Sequence, residues 1–347
     1  MRITNQTMLH NYLTNLNRNL TNMSIYQNQL SSGKEVSKPS DDPFAVTRAM
    51  SLHTSINQNA QYLKNIEDSI GWVDMSDAAM GSIGDAMNRL RELVLEGANG
   101  TNDDSARGAV IDEVEQIVSQ IAQLGNTNYD GRYIFGGQKT TEPPFEVITN
   151  KNEKGVITEC KLVYHGAKSS NKVMLPREVS QNVKMDINVP GTWIQSGKNG
   201  EFSDFDSSLA GTLNGIIVTL NELNELDELT QKQKNGEFST DDLTRLTELQ
   251  GKNLNQSLGG ELLGQVDDHI DNMLSIRSEL GAKANRLDAA KKKNDEETFN
   301  MTKLLSKTED IDFAEKIMQY MMMSNVYEAS LSTGAKILQP TILDFLK

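Results

Sequence analysis

The chain has 347 residues, of which 34 are basic and 48 acidic, so its formal net charge is −14. A negative chain without a basic stripe is a poor nucleic-acid binder, because phosphate contacts dominate that affinity. The sequence contains no run of about 20 apolar residues to span a bilayer, and its start lacks the apolar core of an ordinary secretory signal. The only cysteine, Cys160, excludes an internal disulfide and a cysteine-based zinc site.

The charge is unevenly distributed along the chain. Residues 1–30 contain two arginines and no acid, and residues 323–347 balance two acids against two lysines. Both ends therefore carry polar faces of Asn, Gln, Ser and Thr. This pattern is either an accident of composition or a sign that both ends become buried in an assembly, where unpaired charges are costly.

The N-terminal segment has the apolar spacing of a coiled coil, with alternating steps of four and three residues and one polar member, Gln27. The predicted seam consists of Leu9, Leu13, Leu16, Leu20, Met23 and Leu30. Gly33 predicts a left-handed end of this helix. Asp42 predicts the N-cap of a second helix and Pro43 its first turn, so that these two residues set the corner between the helices.

The same periodicity predicts a long second helix up to a turn at 97–104, and a third helix through Leu124. In the C-terminal third it predicts one helix from Leu209, a polar break at 231–238, and a capping box of Ser239 and Asp242. A long seam then begins at Leu262. The last seam runs through Phe313, Ile317, Tyr320, Ser324, Tyr327, Leu331, Gly334 and Leu338. Its predicted assembly residues are Phe313, Ile317, Tyr320, Tyr327, Leu331 and Leu338.

Residues 141–205 change to a period of two, which is typical of strands. Val156, Thr158, Cys160, Leu162 and Tyr164 form one predicted strand face. The fold class is therefore mainly α, a long helical coiled-coil bundle formed by both chain ends, with a small inserted β domain. The predicted domains are terminal coiled-coil segments at 1–40 and 310–347 that order on assembly, a helical rod at 41–140 and 206–309, and the β insert at 141–205.

Several patterns imitate chemical sites. Residues 126–137 resemble a calcium loop without its final glutamate, and 136–140 resemble a phosphate loop without its Gly-Lys-Ser/Thr ending, so both favour turns. His269 lies on a seam and is predicted to be a core histidine, and Cys160 a buried, unreactive thiol. Met321–Met323 is either a flexible binding patch or part of a packed face. No cofactor or metal is predicted.

Several motifs resemble the flagellin family of bacterial axial proteins. These motifs are Leu30-Ser-Ser-Gly33, Pro39-Ser-Asp-Asp-Pro43, Gly131-Arg-Tyr-Ile-Phe-Gly-Gly137, Leu280-Gly-Ala282 with Asn285-Arg-Leu287, and the ending Ile342-Leu-Asp-Phe-Leu346. The resemblance covers about 1–140 and 205–347. The second, third and last of these motifs differ from true flagellins and point to a junction subunit.

The resemblance implies a structural, non-enzymatic protein of the extracellular flagellum, exported through the flagellar type III apparatus for motility. Its implied role is a ring between hook and filament. The implied partners are further copies of the chain, the hook-side junction protein, flagellin and an export chaperone at the C-terminal region, with no nucleic acid and no membrane. Two alternatives stay open: a short flagellin that serves as a bulk filament subunit, and an enzyme carried on the β insert.

Overall fold

The fold is described from a computed structural model, which covers residues 5–99, 104–152, 156–167, 174–197, 207–235 and 239–337. The chain divides into two compact units. The first comprises Met1–Gln61 with Asn294–Lys347, and the second is Tyr62–Lys293. The finer three-part division at residues 40, 140, 205 and 309 stays a prediction.

The described residues are mainly helical. The helices are α1 Asn5–Ser32, α2 Pro43–Gly97, α3 Asp104–Gly125, α4 Gly191–Ser196, α5 Leu209–Asn235, α6 Thr240–Gly251, α7 Leu254–Gln256, a π-helix at Ser257–Leu262, α8 Leu263–Glu309 and α9 Phe313–Ile337. The strands are β1 Asn128–Tyr129, β2 Arg132–Tyr133, β3 Phe145–Lys151, β4 Ile157–Tyr164, β5 Pro176–Ser180 and β6 Val183–Asp186. The predicted fold class, long terminal helices with a small strand-containing insert, is confirmed.

The second unit has a closed apolar core. Its seam residues on α2, α3, α5 and α8 are almost inaccessible to solvent, as at Met87, Val114, Leu220 and Leu280. These positions follow the predicted apolar periodicity, because residues three and four apart lie on one side of a helix. The apolar positions predicted from the sequence are therefore buried by contacts within a single chain.

The strands pair as three antiparallel two-stranded ladders, β1–β2, β3–β4 and β5–β6. The predicted face of β4 is wrong at its start, where Ile157 is buried while Val156 and Thr158 are exposed. The register shifts between Asn150 and Lys151, which pair with Glu159 and Ile157. This β-bulge changes which side of the ladder each residue faces, and period-two counting does not detect it.

The β segment shares its core with the helices. Phe145 and Tyr164 belong to the same buried cluster as Leu213 and Ile216 of α5. Asn221 Nδ2 donates a hydrogen bond to the Ile157 carbonyl at 2.7 Å. The insert is therefore part of the second unit rather than a separate core.

The predicted polar break after α5 is shorter than expected, because the helix continues to Asn235. Residues 231–235 are exposed. Lys232 and Lys234 lie in the last turn of α5, where their positive charges stabilise the negative end of the helix dipole. The capping box is confirmed at the start of α6. The Ser239 side chain accepts from the backbone N–H of Asp242, and the Asp242 side chain accepts from the backbone N–H of Ser239.

Candidate assembly interface

The helices α1 and α9, from the two ends of the chain, pair antiparallel in the first unit. Near one end of the pair, the Tyr12 hydroxyl donates to the Ser330 carbonyl at 2.8 Å. Near the other end, the Lys316 ammonium lies 5.7 Å from the centre of the Tyr26 ring, a cation–π distance. Early residues of α1 thus meet late residues of α9.

Glycine is required at position 334 because the Tyr12 side chain lies against its backbone. A Cβ atom at this position would overlap the Tyr12 ring and hydroxyl, so only a residue without a side chain leaves room for the tyrosine. Gly334 is buried in the last turn of α9, and glycine within a helix is unfavourable by up to about 1 kcal/mol relative to alanine. The cost to the helix is offset by the Tyr12 contact.

The half-buried residues of α1 follow a seam that differs from the predicted one. Most of them recur at alternating steps of three and four, in phase with Tyr12 and Tyr26, as Leu9, Tyr12, Leu16, Asn19, Met23, Tyr26 and Leu30, and Asn22 and Gln29 beside this row are half-buried as well. On α9 the row is Lys316, Tyr320, Met323, Tyr327, Ser330 and Gly334, with Gln319 and Ser324 half-buried beside it. These two rows form the contact between the helices.

The structure divides the predicted assembly residues into two groups. Half-buried on the pairing side are Leu9, Leu16, Met23, Leu30, Tyr320 and Tyr327. Exposed are Leu13, Leu20, Phe313, Ile317 and Leu331, although the Phe313 ring also lies against Gly33. Leu338 lies outside the described residues.

Tyr12 and Tyr26 were missed by the sequence reasoning, which followed only the strongest apolar residues of α1, whereas Gly334 lies on the predicted C-terminal seam. Tyr12, Asn19 and Tyr26 are spaced by seven, beside the row of Leu13 and Leu20. That heptad of mixed polarity was the available signal.

A second apolar face remains uncovered on the pair. It consists of Met8, Leu13, Leu20 and Ile25 on α1 with Phe313, Ile317, Met318, Met321, Met322, Val326 and Leu331 on α9. In the described part of α1 the single charged residue is Arg18. Of the methionine run, Met321 and Met322 are exposed and Met323 is half-buried, so each of the two interpretations fits part of it. Exposed apolar surface on this scale is typical of an interaction site.

The corner between α1 and α2 is fixed by local hydrogen bonds. Gly33 has φ of 71° at the end of α1, as predicted for a left-handed cap. Asp42 Oδ1 accepts from the backbone N–H groups of Phe44 at 2.9 Å and Ala45 at 3.1 Å. Because Pro43 needs no donor in the first turn, the start of α2 is fully satisfied.

The junction between α8 and α9 is tied to this corner. Glu35 N–H donates to the Glu309 carbonyl at 2.6 Å, and Ile311 N–H donates to the Gly33 carbonyl at 3.2 Å. The Glu309 carboxylate is paired with Lys34 and lies 2.9 Å from His53 Nε2. The hydrogen bond from Lys34, with a smaller contribution from His53, lowers the pKa of Glu309.

The titratable groups buried in the second unit have structural surroundings. Burial lowers the pKa of His269 to about 4, and its Nε2 lies 3.2 Å from Thr212 Oγ1. Burial also raises the pKa of the Cys160 thiol and that of Tyr164 to about 12. Their predicted roles as core residues agree with this burial.

The two imitated sites are turns in the structure. Asp130 and Gly131 have φ of 51° and 77° in the tight turn between β1 and β2. The Gly136 carbonyl accepts from Lys139 N–H at 3.3 Å. Within the described ranges, no group of three or more His, Cys, Asp or Glu side chains is arranged to hold a metal. In the same residues, no helix combines the length and apolarity needed to cross a membrane.

These features define a mainly helical protein whose two chain ends pair with each other. The bacterial flagellin N-terminal helical region matches residues 3–140, and the C-terminal helical region of the same family matches residues 263–346. The chain belongs to the bacterial flagellin family, as its motifs predicted.

Two relatives match over nearly their whole length. The flagellar hook-associated protein 3 of Escherichia coli strain K12 is 25% identical over 95% of each chain. The protein of the same description in Salmonella typhimurium strain LT2 is 24% identical over 96% of each chain. The crystal structure of flagellar hook-associated protein 3 from Legionella pneumophila superposes with a TM-score of 0.53 at 15% identity, covering 74% of this chain and 97% of that one. At that identity the structural likeness shows the fold.

Proposed function

We propose that this protein is a structural subunit of the bacterial flagellum at the junction between hook and filament. The observation that carries the proposal is the pairing of α1 with α9, which leaves many apolar side chains exposed on both helices. The full-length relatives described as hook-associated protein 3 give this exposed surface its setting, because such proteins belong to the extracellular flagellum.

The two groups of predicted assembly residues take different roles in this proposal. Leu9, Leu16, Met23, Leu30, Tyr320 and Tyr327 hold the two ends of one chain together, since they lie on the pairing side. Leu13, Leu20, Phe313, Ile317 and Leu331 face neighbouring subunits, since they are exposed among the described residues. Asp42 and Pro43 set the corner from which α1 departs.

The protein is not an enzyme in this proposal, and it requires no cofactor. Its partners are further copies arranged as a ring, the hook-side junction protein, flagellin, and an export chaperone at the C-terminal region. It reaches the cell exterior through the flagellar type III apparatus. A bulk filament subunit is the weaker alternative, because the motifs at residues 39–43, 131–137 and 342–346 and the two relatives described as hook-associated protein 3 favour the junction.

Leu13→Asp tests the outward role most sharply. Leu13 is 45% exposed, so a carboxylate there is tolerated in the free chain but is buried without a partner once a second subunit packs on it. We expect the purified variant to fold normally, while hook–filament structures isolated from cells lack it and the cells lose motility.

Thr14→Asp is the matched control. Thr14 is the neighbouring residue on α1 and is also exposed, so the control carries the same new charge one position away from the apolar row. A motile strain whose junctions contain Leu13→Asp at the wild-type level would refute the outward role of this row. Cells that lack the protein should secrete unpolymerised flagellin. A copy number per filament as high as that of a bulk filament subunit would instead favour the alternative.

A further inference from the structure

The side chain of Phe44 stands in solvent at the start of α2. It is 87% exposed, the highest value among the large apolar side chains that the structure describes as exposed. Its backbone is held by the Asp42 cap, so the ring is presented from a fixed turn. Aromatic side chains, phenylalanine among them, are enriched in the buried core of protein–protein interfaces.

A cavity lies on the other side of the same helix. Its volume is about 320 Å³, and its apolar lining includes Val36, Pro39, Ala45, Val46, Ala49 and Met50. At 3.6 residues per turn, Ala45, Val46 and Ala49 lie on the side of α2 opposite Phe44. The ring therefore does not reach the cavity of its own chain.

We propose that Phe44 of one copy inserts into this corner cavity of the next copy. A contact between two different surfaces of one chain is heterologous, and its repetition gives a ring or a helical row of subunits. The proposal rests on the proposed assembly of this protein in the flagellar axis. It adds a second contact, at the corner of the chain, to the contact through α1 and α9.

The charges around the two surfaces are complementary. Arg48 lies one turn beyond Phe44 on the same side of α2, is exposed, and has no ion-pair partner among the described residues. Asp41 lies in a depression that shares Val36 and Ala45 with the cavity and contains three acids, Glu35, Asp41 and Asp42, and one lysine, Lys38. Lys34 in the cavity is paired with Glu309. Within the described part of the chain, Asp41 also has no ion-pair partner, although its carboxylate accepts from Lys38 N–H at 3.0 Å. Insertion of Phe44 would bring Arg48 towards this acidic rim.

Photo-crosslinking identifies the occupant directly. Phe44→benzoylphenylalanine in the full-length protein, expressed in flagellated cells and irradiated, should give a dimer of this chain. Its crosslinks should map to residues 36–53 or 308–309, which line the cavity. Crosslinks only to a different protein, or to other parts of a second copy, would overturn the proposal, as would failure to crosslink in junctions that contain the variant.

Paired substitutions measure the contribution of the ring. Phe44→Ala should lower the amount of protein in isolated hook–filament structures by about tenfold or more, as expected for a buried anchor. Ala45→Leu places a larger side chain in the cavity and should lower this amount similarly. Phe44→Leu should lower it less. Phe299→Ala is the control, since Phe299 is 69% exposed on α8 of the same unit and away from the corner.

The outcomes separate this proposal from the assembly role on which it rests. Unchanged unfolding curves for the purified variants show that the chain still folds. If Leu13→Asp is excluded from junctions while Phe44→Ala is incorporated like wild type, the proposed insertion of Phe44 is wrong and the assembly role stands. If both variants are incorporated normally, both proposals are wrong. An equal loss with Phe299→Ala would also overturn the specific role of Phe44.

Discussion

Leu220 and Leu20 show how two regions of one chain treat the same side chain. Leu220 lies on α5 in the second unit and is completely buried, whereas Leu20 lies on α1 in the first unit and is 44% exposed. Both sit in apolar rows of helical spacing, so the pattern alone does not distinguish them. The difference is that the second unit supplies several helices and strands around its seams, while α1 has α9 as its pairing helix.

The surfaces of the two regions differ in the same sense. The second unit carries ion pairs between its helices, such as Arg89 with Glu113 at 2.8 Å and Arg277 with Asp77 at 3.0 Å. The exposed face of α1 and α9 carries methionine and leucine instead. Charged groups stay hydrated at a surface that remains in water, whereas an uncharged apolar face is suited to burial against another chain.

The largest effect is expected for truncation of the closed core. Leu220→Ala should lower the free energy of unfolding of the second unit by about 2–5 kcal/mol, because it leaves a cavity. Leu20→Ala, the matched change on α1, should lower it by less than about 0.5 kcal/mol. Tryptophan fluorescence during urea unfolding follows the second unit, since Trp72 and Trp193 both lie in it, and far-UV circular dichroism in the same experiment also follows the helices of the first unit. Equal losses would contradict the contrast.

A smaller effect is expected from the buried histidine of the second unit. The pKa of His269 is about 4 in the fold against 6.5 for the free side chain. The unfolded chain therefore binds more protons between these values, and stability falls as the pH drops from about 6.5 towards 4. The loss is roughly 2–3 kcal/mol.

His269→Gln should remove this component of the pH dependence, because glutamine does not titrate. The measurement is the difference between wild type and variant in urea unfolding at pH 7, 6, 5 and 4 (by the tryptophan signal), which cancels the titration of the surface carboxylates. Parallel pH curves for the two proteins would show that His269 is not held neutral by the fold.

The smallest effect is expected at the contact between α1 and α9. Gly334→Ala should loosen the pair, although alanine favours a helix by about 1 kcal/mol, because its Cβ would overlap Tyr12. Gly281→Ala is the control, since open space surrounds a Cβ at that position of α8, and it should be neutral or slightly stabilising. Limited proteolysis of α1 reports the pairing, and slower cleavage in Gly334→Ala would contradict the Tyr12 contact.

Much of the fold was predictable because local signals agree with it. Gly33, Asp42 and the Ser239 capping box mark helix ends by their own hydrogen bonding, and the apolar rows mark the helices. The bulge between Ile157 and Glu159 was not predictable, because it depends on the register between two strands. The pairing row of α1 was also missed, because Tyr12 and Tyr26 pack against the distant Lys316 and Gly334, which no local pattern reveals.

The central claim is that α1 and α9 complete their packing only with neighbouring subunits, whereas the second unit is closed in itself. Hydrogen exchange of the purified full-length chain, followed by mass spectrometry, tests this most directly. We predict rapid exchange across residues 5–32 and 313–337 and slow exchange across α3, α5 and residues 263–293 of α8, with protection of both ends in assembled junctions. Protection of α1 and α9 in the free chain equal to that of α5 would contradict the account.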